Sequence, residues 1–195
     1  MTQTNQPPFQ ELKTLISGDI STSEADLAEH SRDTSLFQVK PQCVVFPKNT
    51  SDVKAVINWV NSNRDAHPSL NIAGRSAGTD MTGGSLNNSI ILSFTRYMNH
   101  SSVNLDQLEA EIEPGVYYRD FEKQTLPKGV TLPCYPASKN LAALGGMVMN
   151  NSAGERTLRY GQMRNFVNWV EVVASNGEIY RFGEISKDEL DKAII

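Results

Sequence analysis

The sequence contains little cysteine and little histidine, which excludes several kinds of site. Its two cysteines, Cys43 and Cys134, lie far apart and form no Cys-x-x-Cys pair. That spacing argues against a zinc site, a disulfide scaffold and a thioredoxin-like motif. The three histidines, His30, His67 and His100, have no spacing that suggests a metal site or a nucleophilic triad. We therefore expect these histidines at the surface or in loops, and Cys134 as a small buried hydrophobe.

Targeting signals, membrane spans and a basic surface are also missing. The N-terminus has no basic region followed by an apolar stretch, and no apolar run approaches the roughly 20 residues of a membrane span. The 18 Lys and Arg against 22 Asp and Glu give a net charge of −4, with no basic stripe that could follow a phosphate backbone. We expect a cytoplasmic protein in a reducing compartment, with no nucleic-acid partner and no transmembrane segment.

The beginning of the chain predicts a short helical prelude. Residues 1–8 are polar and end in two prolines, which predicts a disordered lead-in. Two short helical patterns follow. One covers residues 12–16, and the other begins after Ser23, which can cap a helix with Asp26 as the capping-box acid. Both helices are expected at the surface.

The remainder of the chain mixes strands and helices without strict alternation, which predicts an α+β fold. The predicted elements are strands over residues 43–46, 70–73, 89–93 and 108–113, a helix capped by Ser51 that ends at residues 61–63, a helix over residues 117–126 closed by Pro127 and Gly129, and a final hairpin of residues 170–174 and 178–182 around Asn176 and Gly177. The first two strands and the helix between them predict a β-α-β unit. Trp59 falls in that helix, where core packing or an interface is expected.

A glycine-rich segment follows the second predicted strand. It reads GRSAGTDMTGG over residues 74–84, and its glycines let backbone N–H groups turn inward to form an anion-binding concavity. It is not a P-loop, because no Gly-Lys-Ser/Thr follows. A diphosphate here would be held by the loop amides, the hydroxyls of Ser76 and Thr79, and Arg75. Taken alone, such a connection is more often a plain turn.

A second loop-rich region covers residues 133–161. Gly145 and Gly146 remove side chains where a flat ring or a phosphate could approach the backbone. The Asn-Asn-Ser sequence at residues 150–152 adds donors and acceptors suited to ribityl hydroxyls or ring edges. Two such segments, far apart in the sequence, suggest one shared ligand.

The order of these features resembles the PCMH-type FAD-binding domain of vanillyl-alcohol-oxidase-type and D-lactate or glycolate dehydrogenase-type flavoproteins. The matching elements are Asp33-Thr34-Ser35-Leu36, Pro41-x-x-Val44-Val45-x-Pro47, residues 74–84, Pro133-x-x-Pro136, Gly145-Gly146, residues 150–154, Tyr160-Gly161 and Gly177. The resemblance implies a helical lead-in over residues 1–30 and an incomplete FAD-binding domain over residues 31–195. That domain would hold a small β-α-β subdomain and then a second mixed α+β subdomain, truncated at the C-terminus.

The resemblance also implies which residues contact FAD. The first segment would wrap the diphosphate, and the second would line the flavin and adenosine portions. The implied contacts are Gly74, Arg75, Ser76, Ala77, Gly78, Thr79, Asp80, Pro136, Ser138, Gly145, Gly146, Asn150, Ser152, Gly154, Tyr160 and Gly161. Residues 77–80 contain no histidine, and Lys139 stands where some relatives have a cysteine tether. FAD is therefore expected to bind noncovalently.

The activity implied by the resemblance is hydride transfer from a small 2-hydroxy acid, such as D-lactate or glycolate, to flavin N5. The chain stops before the family's substrate domain, so it offers no catalytic residue, and a partner chain or a missing C-terminal domain would complete the substrate site. Two alternatives stay open: a non-catalytic FAD-binding fragment or subunit that needs a partner chain, and a reductase of an enolpyruvyl nucleotide sugar. Arg156, Arg159 and Arg164 are expected on a solvated face, with diphosphate or substrate neutralisation as the alternative.

Overall fold

The computed structural model describes residues 7–193. Of the disordered lead-in predicted for residues 1–8, residues 1–6 lie outside the described residues, whereas Pro7 is buried and its carbonyl accepts from the Phe9 N–H at 2.8 Å, so the prediction is wrong there. Its strands are β1 (Asp19–Ser21), β2 (Cys43–Phe46), β3 (Ile72–Arg75), β4 (Ile90–Ser93), β5 (Ser101–Asn104), β6 (Glu109–Ile112), β7 (Trp169–Val173) and β8 (Ile179–Gly183). Its α-helices are α1 (Leu12–Leu15), α2 (Glu24–Glu29), α3 (Thr50–Asn63), α4 (Tyr118–Thr125), α5 (Leu144–Met149), α6 (Thr157–Tyr160) and α7 (Lys187–Ala193). Short 3-10 helices cover Phe9–Glu11, Leu126–Lys128 and Met163–Phe166.

The first half of the chain builds a four-stranded sheet in the order β1-β2-β4-β3. Strands β2 and β3 both run parallel to β4, whereas β1 is antiparallel to β2. The predicted β-α-β unit is confirmed as β2-α3-β3, but β4 lies between its two strands. Every residue of β2 and β4 is buried, as the central strands of a mostly parallel sheet require.

One apolar cluster packs between this sheet and α3. It includes Val45 and Leu92 from the strands and Val56 and Trp59 from the helix, which confirms core packing, one of the two roles expected for Trp59. Leu12 of α1 belongs to the same cluster and has no exposed surface. The expected surface position of this first helix is confirmed for Lys13, Thr14 and Leu15, which are exposed, whereas Leu12 packs into the core.

The second half of the chain builds its own apolar cluster around α4 and α5. Tyr118 and Met147 are buried in it, and the Tyr118 hydroxyl donates to the Leu132 carbonyl at 2.8 Å. Cys134 has no exposed surface, and its Sγ lies 3.3 Å from Sδ of Met163. Burial raises the pKa of the Cys134 thiol, and its predicted role as a small buried hydrophobe is confirmed.

Polar contacts join the β7-β8 hairpin to the outer side of α3. The Asn61 side chain donates to the Ser175 carbonyl at 2.7 Å, and Lys54 lies 3.3 Å from the Glu178 carboxylate. The predicted hairpin turn is confirmed, with Gly177 at a φ of +76°. These contacts hold the hairpin against the first half of the chain.

Several predicted boundaries are wrong near β3 and α3. Strand β3 begins at Ile72 and ends at Arg75, so Gly74 and Arg75 belong to the strand and not to the loop. Helix α3 is capped by Asn49 and not by Ser51, because the Asn49 side chain accepts a hydrogen bond from the backbone of residue 52 at 2.9 Å. Asparagine is at least as good an N-cap as serine, and it stands two positions earlier.

Other elements were not predicted at all. Strands β1 and β5 and helices α5, α6 and α7 were missed, and β6 is mostly exposed where a half-buried strand was expected. Gly145 and Gly146 lie inside α5, where glycine is intrinsically unfavourable. Tertiary hydrogen bonds compensate, since the Leu144 N–H donates to the Val116 carbonyl at 2.8 Å. Local propensity alone therefore hides this helix.

His30 is buried, so its expected surface position is wrong, whereas His100 is exposed as predicted. Nδ1 of His30 lies 2.9 Å from the Asp26 carbonyl oxygen, and Nε2 of His30 lies 3.1 Å from Oγ of Ser93. Burial lowers the pKa of His30, and the charge of Arg75 lowers it further. The ring therefore packs as a hydrogen-bonded core residue.

The buried carboxylate of Asp52 ties the N-terminal segment to α3. It is 4% exposed and accepts hydrogen bonds from the Ser17 N–H at 2.9 Å, the Ser17 hydroxyl at 3.0 Å and the Lys48 N–H at 2.8 Å. Hydrogen bonds to an ionised group are stronger than those between neutral groups, so this carboxylate holds the start of the chain on the core.

We expect Asp52→Ala to lower the free energy of unfolding by about 2–4 kcal/mol, because it leaves the donors of Ser17 and Lys48 without their acceptor. Chemical denaturation followed by tryptophan fluorescence measures this change. The exposed Asp65→Ala is the control and should shift the free energy by less than about 0.5 kcal/mol. Equal effects of the two substitutions would contradict the assignment.

Candidate functional site

In the first glycine-rich segment, residues 74–84, the backbone carbonyls and the backbone N–H groups have different partners. The carbonyls of Thr79 and Asp80 accept hydrogen bonds from the Thr34 hydroxyl at 3.0 and 2.9 Å. Within residues 7–193, the N–H groups of residues 77–80 donate to no protein acceptor. Gly78 has a φ of +66°, in the left-handed region where successive N–H groups converge. The segment therefore offers the donors that an anion requires.

The Asp80 side chain closes this segment on itself. Its carboxylate accepts from the Thr82 hydroxyl at 2.8 Å and from the Gly84 N–H at 2.7 Å. Burial acts to raise the pKa of Asp80, but these hydrogen bonds outweigh burial and lower the pKa below its ordinary value. The carboxylate thus shapes the turn, and the backbone N–H of Asp80 is the group left for a ligand.

Arg75 lies beneath the turn with a buried donor nitrogen that has no partner among the described residues. Its guanidinium occupies the place that a Cβ on Gly78 would need, and the φ of +66° at Gly78 is one that residues with a side chain rarely adopt. Nη2 donates to the Arg32 carbonyl at 2.8 Å, whereas Nη1 is buried and has no partner in the described part of the chain. Burial lowers the pKa of Arg75, and the nearby carboxylates of Asp33 and Glu29 oppose this shift. A buried cationic nitrogen without an acceptor fits an anionic oxygen.

The carbonyl of Pro114 joins the two glycine-containing segments. Ser76 donates to it through Oγ at 2.9 Å, and Gly145 donates through its N–H at 3.1 Å. The turn after β3 and the start of α5 are therefore held side by side. A Cβ added to Gly146 would lie 3.7 Å from the Cβ of Ser76. The structure thus brings together the two segments that the sequence suggested for one ligand.

The two adjacent glycines of α5 have different surroundings. A Cβ on Gly145 would lie 2.5 Å from the Pro114 carbonyl oxygen, so this glycine is needed for close packing. A Cβ on Gly146 would make only an ordinary contact with Ser76. Gly145 therefore supports the junction, whereas Gly146 is half-buried and has room for a small side chain beside Ser76.

The other predicted contacts lie along residues 136–161. Gly154 packs against the Tyr135 carbonyl, and Gly161 has a φ of +90° beside Asn165, so the chain's own packing requires both glycines. The rest are found in turns or on the surface: the carbonyls of Pro136 and Ser138 accept turn hydrogen bonds at 3.0 and 2.8 Å, Ser152 donates its N–H to the Met147 carbonyl at 2.9 Å, and Asn150 and Tyr160 are exposed.

The position of the absent cysteine tether is occupied by an ion pair. Lys139 Nζ lies 3.1 and 3.2 Å from the two Glu122 carboxylate oxygens and 4.5 Å from the centre of the Tyr135 ring. The side chain is half-buried in this cluster. The three arginines expected on a solvated face are exposed, which confirms that prediction for Arg156, Arg159 and Arg164.

Sequence reasoning missed two residues of the site, Thr34 and Pro114. Thr34 appeared only as part of a family motif, and Pro114 only as a turn residue. The sequence does contain one indication that the chain packs closely at Pro114, which is the glycine that follows it. In the structure, a Cβ on Gly115 would collide with the backbone carbonyls of Phe94 and Met98. A glycine beside a proline can therefore indicate a close backbone approach as well as a turn. No local pattern indicates the contact of Thr34 with Thr79 and Asp80, because these residues lie 45 and 46 positions further along the chain.

Comparison with known proteins identifies relatives of the chain. The model of a family described as FAD binding domain matches residues 41–183. D-2-hydroxyglutarate dehydrogenase of Haemophilus influenzae is 31% identical over 163 residues, which cover 83% of this chain and 16% of that protein. Glycolate oxidase subunit GlcD of Bacillus subtilis is 30% identical over 158 residues, covering 80% and 33%. D-lactate dehydrogenase of Archaeoglobus fulgidus is 32% identical over 142 residues, covering 72% and 30%.

Solved structures with the same fold include oxidases and a synthase. Alkyldihydroxyacetonephosphate synthase superposes with a TM-score of 0.78 at 20% identity, over 95% of this chain and 37% of that one. The 6-hydroxy-D-nicotine oxidase of Arthrobacter nicotinovorans gives 0.75 at 19% identity, over 90% and 38%. The expected α+β, PCMH-type fold is thus confirmed. The chain spans only 16–33% of the length of the three curated relatives above.

Among the described residues, none of the helices has the length and apolar character that a membrane span requires.

The two glycines of α5 are expected to respond oppositely to alanine. Gly145→Ala should lower the free energy of unfolding by about 1–3 kcal/mol, since the new methyl group overlaps Pro114. Gly146→Ala should leave it unchanged or raise it by up to about 1 kcal/mol, because alanine favours helix. Urea denaturation of both variants measures the difference. Equal destabilisation would contradict the packing described for this pair.

Proposed function

Because this chain belongs to the FAD binding domain family, we propose that it holds one FAD molecule noncovalently where its two glycine-containing segments meet. The observation that carries this proposal is the Pro114 carbonyl, which accepts from both Ser76 and Gly145. Through this shared acceptor, the free backbone donors after β3 lie beside the half-buried Gly146, whose added Cβ would lie 3.7 Å from the Cβ of Ser76. The site would then combine anion donors with a surface that a flat ring can approach.

The residues around the first segment fit a diphosphate in number and in charge. The N–H groups of residues 77–80 have no protein acceptor within residues 7–193, and the buried Nη1 of Arg75 has none there either. A diphosphate carries several anionic oxygens, and charge-assisted hydrogen bonds to it would satisfy both sets of donors. The proposed contacts of this part are Gly74, Arg75, Ser76, Ala77, Gly78, Thr79 and Asp80.

The second segment is proposed to face the flavin and adenosine portions. Gly146 supports this placement, because a side chain there would extend toward Ser76. The proposed contacts of this part are Pro136, Ser138, Gly145, Gly146, Asn150, Ser152, Gly154, Tyr160 and Gly161. When bound, FAD supplies a two-electron acceptor for substrate oxidation, and this chain's share is binding and orientation. A noncovalent complex is supported by Lys139, which stands at the tether position and pairs with Glu122.

For the whole protein we propose oxidation of a small 2-hydroxy acid. The relatives described above are named for D-2-hydroxyglutarate, glycolate and D-lactate, and each of these is a 2-hydroxy carboxylate. We propose that the whole protein contains further polypeptide, because those relatives are three to six times longer than the part that this chain covers. The catalytic residue and the substrate pocket would lie in that polypeptide.

A second candidate is an FAD-binding subunit or fragment that acts only with a partner chain. The outer face of the β7-β8 hairpin favours it, because Val172, Tyr180 and Phe182 are 37%, 43% and 57% exposed there. A two-stranded sheet is marginally stable by itself, so an apolar face of this kind calls for a cover. Activity without a partner would exclude this candidate.

Titration of the purified chain with FAD tests the proposal. We expect saturable quenching of flavin fluorescence, and a flavin that separates from the polypeptide after denaturation. Gly146→Val should weaken binding by roughly tenfold or more, because the larger side chain obstructs approach to the backbone. The control Ala66→Val adds a similar group at an exposed position before β3 and should bind as the parent does.

Two results would contradict the proposal. The first is a folded parent protein that takes up no FAD. The second is a folded Gly146→Val variant with unchanged affinity, which would remove the second segment from the site. A native unfolding transition in each variant shows that the fold is intact.

A further inference from the structure

A short stretch of chain lies across the outside of the first glycine segment. We call residues 32–34 the strap. The Thr34 hydroxyl donates to the carbonyls of Thr79 and Asp80 at 3.0 and 2.9 Å, and the Thr34 N–H donates to the same Asp80 carbonyl at 3.1 Å. At the other end of the strap, the Arg32 carbonyl accepts from Arg75 Nη2 at 2.8 Å. The strap thus contacts both the turn and the arginine beneath it.

These contacts fix the direction of the peptide groups in the turn. In a planar trans peptide, the C=O and the N–H point in opposite directions. The Thr79 carbonyl shares its peptide with the N–H of Asp80, so a carbonyl directed at the strap sends that N–H to the opposite face. The N–H of Asp80 has no acceptor within the described residues, so it is available on that face.

The strap also limits the freedom of Arg75. One side of its guanidinium is committed to the Arg32 carbonyl, and the buried Nη1 is left without an acceptor in the part of the chain that the structure describes. A planar guanidinium held through one nitrogen presents its other nitrogens in a fixed direction. Both elements that offer donors to an anion are therefore oriented by one stretch of three residues.

We infer that Thr34 is a positioning residue for the anion-binding turn. Its hydroxyl does not contact the ligand; it donates to two successive carbonyls and so directs the Asp80 N–H toward the bound group. The inference rests on the proposed function, because the diphosphate of FAD is the anion concerned. Thr34 is exposed and belongs to none of the apolar clusters of the described residues, so its substitution does not remove core packing.

The matched variants are Thr34→Val, which deletes the hydroxyl at nearly constant shape, and Thr34→Ser, which keeps it. Thr22→Val is the control, because Thr22 is an exposed threonine remote from the turn in sequence. Two quantities are measured on the 195-residue parent and on each variant. One is the ¹⁵N order parameter of the amides of residues 78–81 without FAD, and the other is the FAD dissociation constant.

We expect Thr34→Val to lower the order parameters of the turn and to weaken FAD binding roughly three- to tenfold, mainly through faster dissociation. Thr34→Ser and Thr22→Val should match the parent in both quantities, and every variant should still show one cooperative unfolding transition. Rescue by serine separates positioning by the hydroxyl from a general effect of changing the side chain.

Parental order parameters together with parental affinity in Thr34→Val would overturn the inference. A disordered turn with unchanged FAD affinity would overturn it as well, since the strap would then order the turn without positioning a ligand group. A parent chain that binds no FAD would contradict the proposed function instead, and the order parameters of the unliganded chain would still show whether Thr34 orients the turn.

Discussion

The structure depends on one carbonyl oxygen that accepts two hydrogen bonds. Pro114 stands between β6 and α4, and its oxygen receives the Ser76 hydroxyl from the first half of the chain and the Gly145 N–H from the second half. The two halves bury separate apolar clusters, so the hydrophobic effect alone would not define how the glycine-containing segments meet. A carbonyl has two acceptor sites, and here both are used to join segments that lie far apart in sequence.

The constraint explains why neighbouring glycines differ in importance. Gly145 is needed because its backbone must come close enough to donate to Pro114, whereas Gly146 is half-buried and has room for a small side chain. The same logic applies across the site. Gly78 is favoured by its φ of +66° beside Arg75, and Gly154 is needed because the carbonyl of Tyr135 packs against it. Glycine in this chain therefore serves internal packing at least as often as it serves a ligand.

The sequence predicted those parts of the fold that are specified locally. The apolar run of β2, the Ser23 cap of α2 and the Asn176–Gly177 turn each have a local signal, and each was found where expected. Helix α5 was missed because glycines oppose helix locally and distant carbonyls compensate. His30 was misplaced because its hydrogen-bond partner Ser93 is 63 residues away. The glycine segments were found as motifs, but their junction at Pro114 depends on contacts that no local pattern contains.

Backbone amide shifts of the ¹⁵N-labelled chain during titration with FAD test the central claim most directly. The claim is that residues 77–80 and Gly146 belong to one site, held together through Pro114. The account predicts that the amides of both segments shift and follow one saturation curve with one dissociation constant, while those of β1 and α7 do not move. Shifts confined to one segment, or two curves with different dissociation constants, would contradict it.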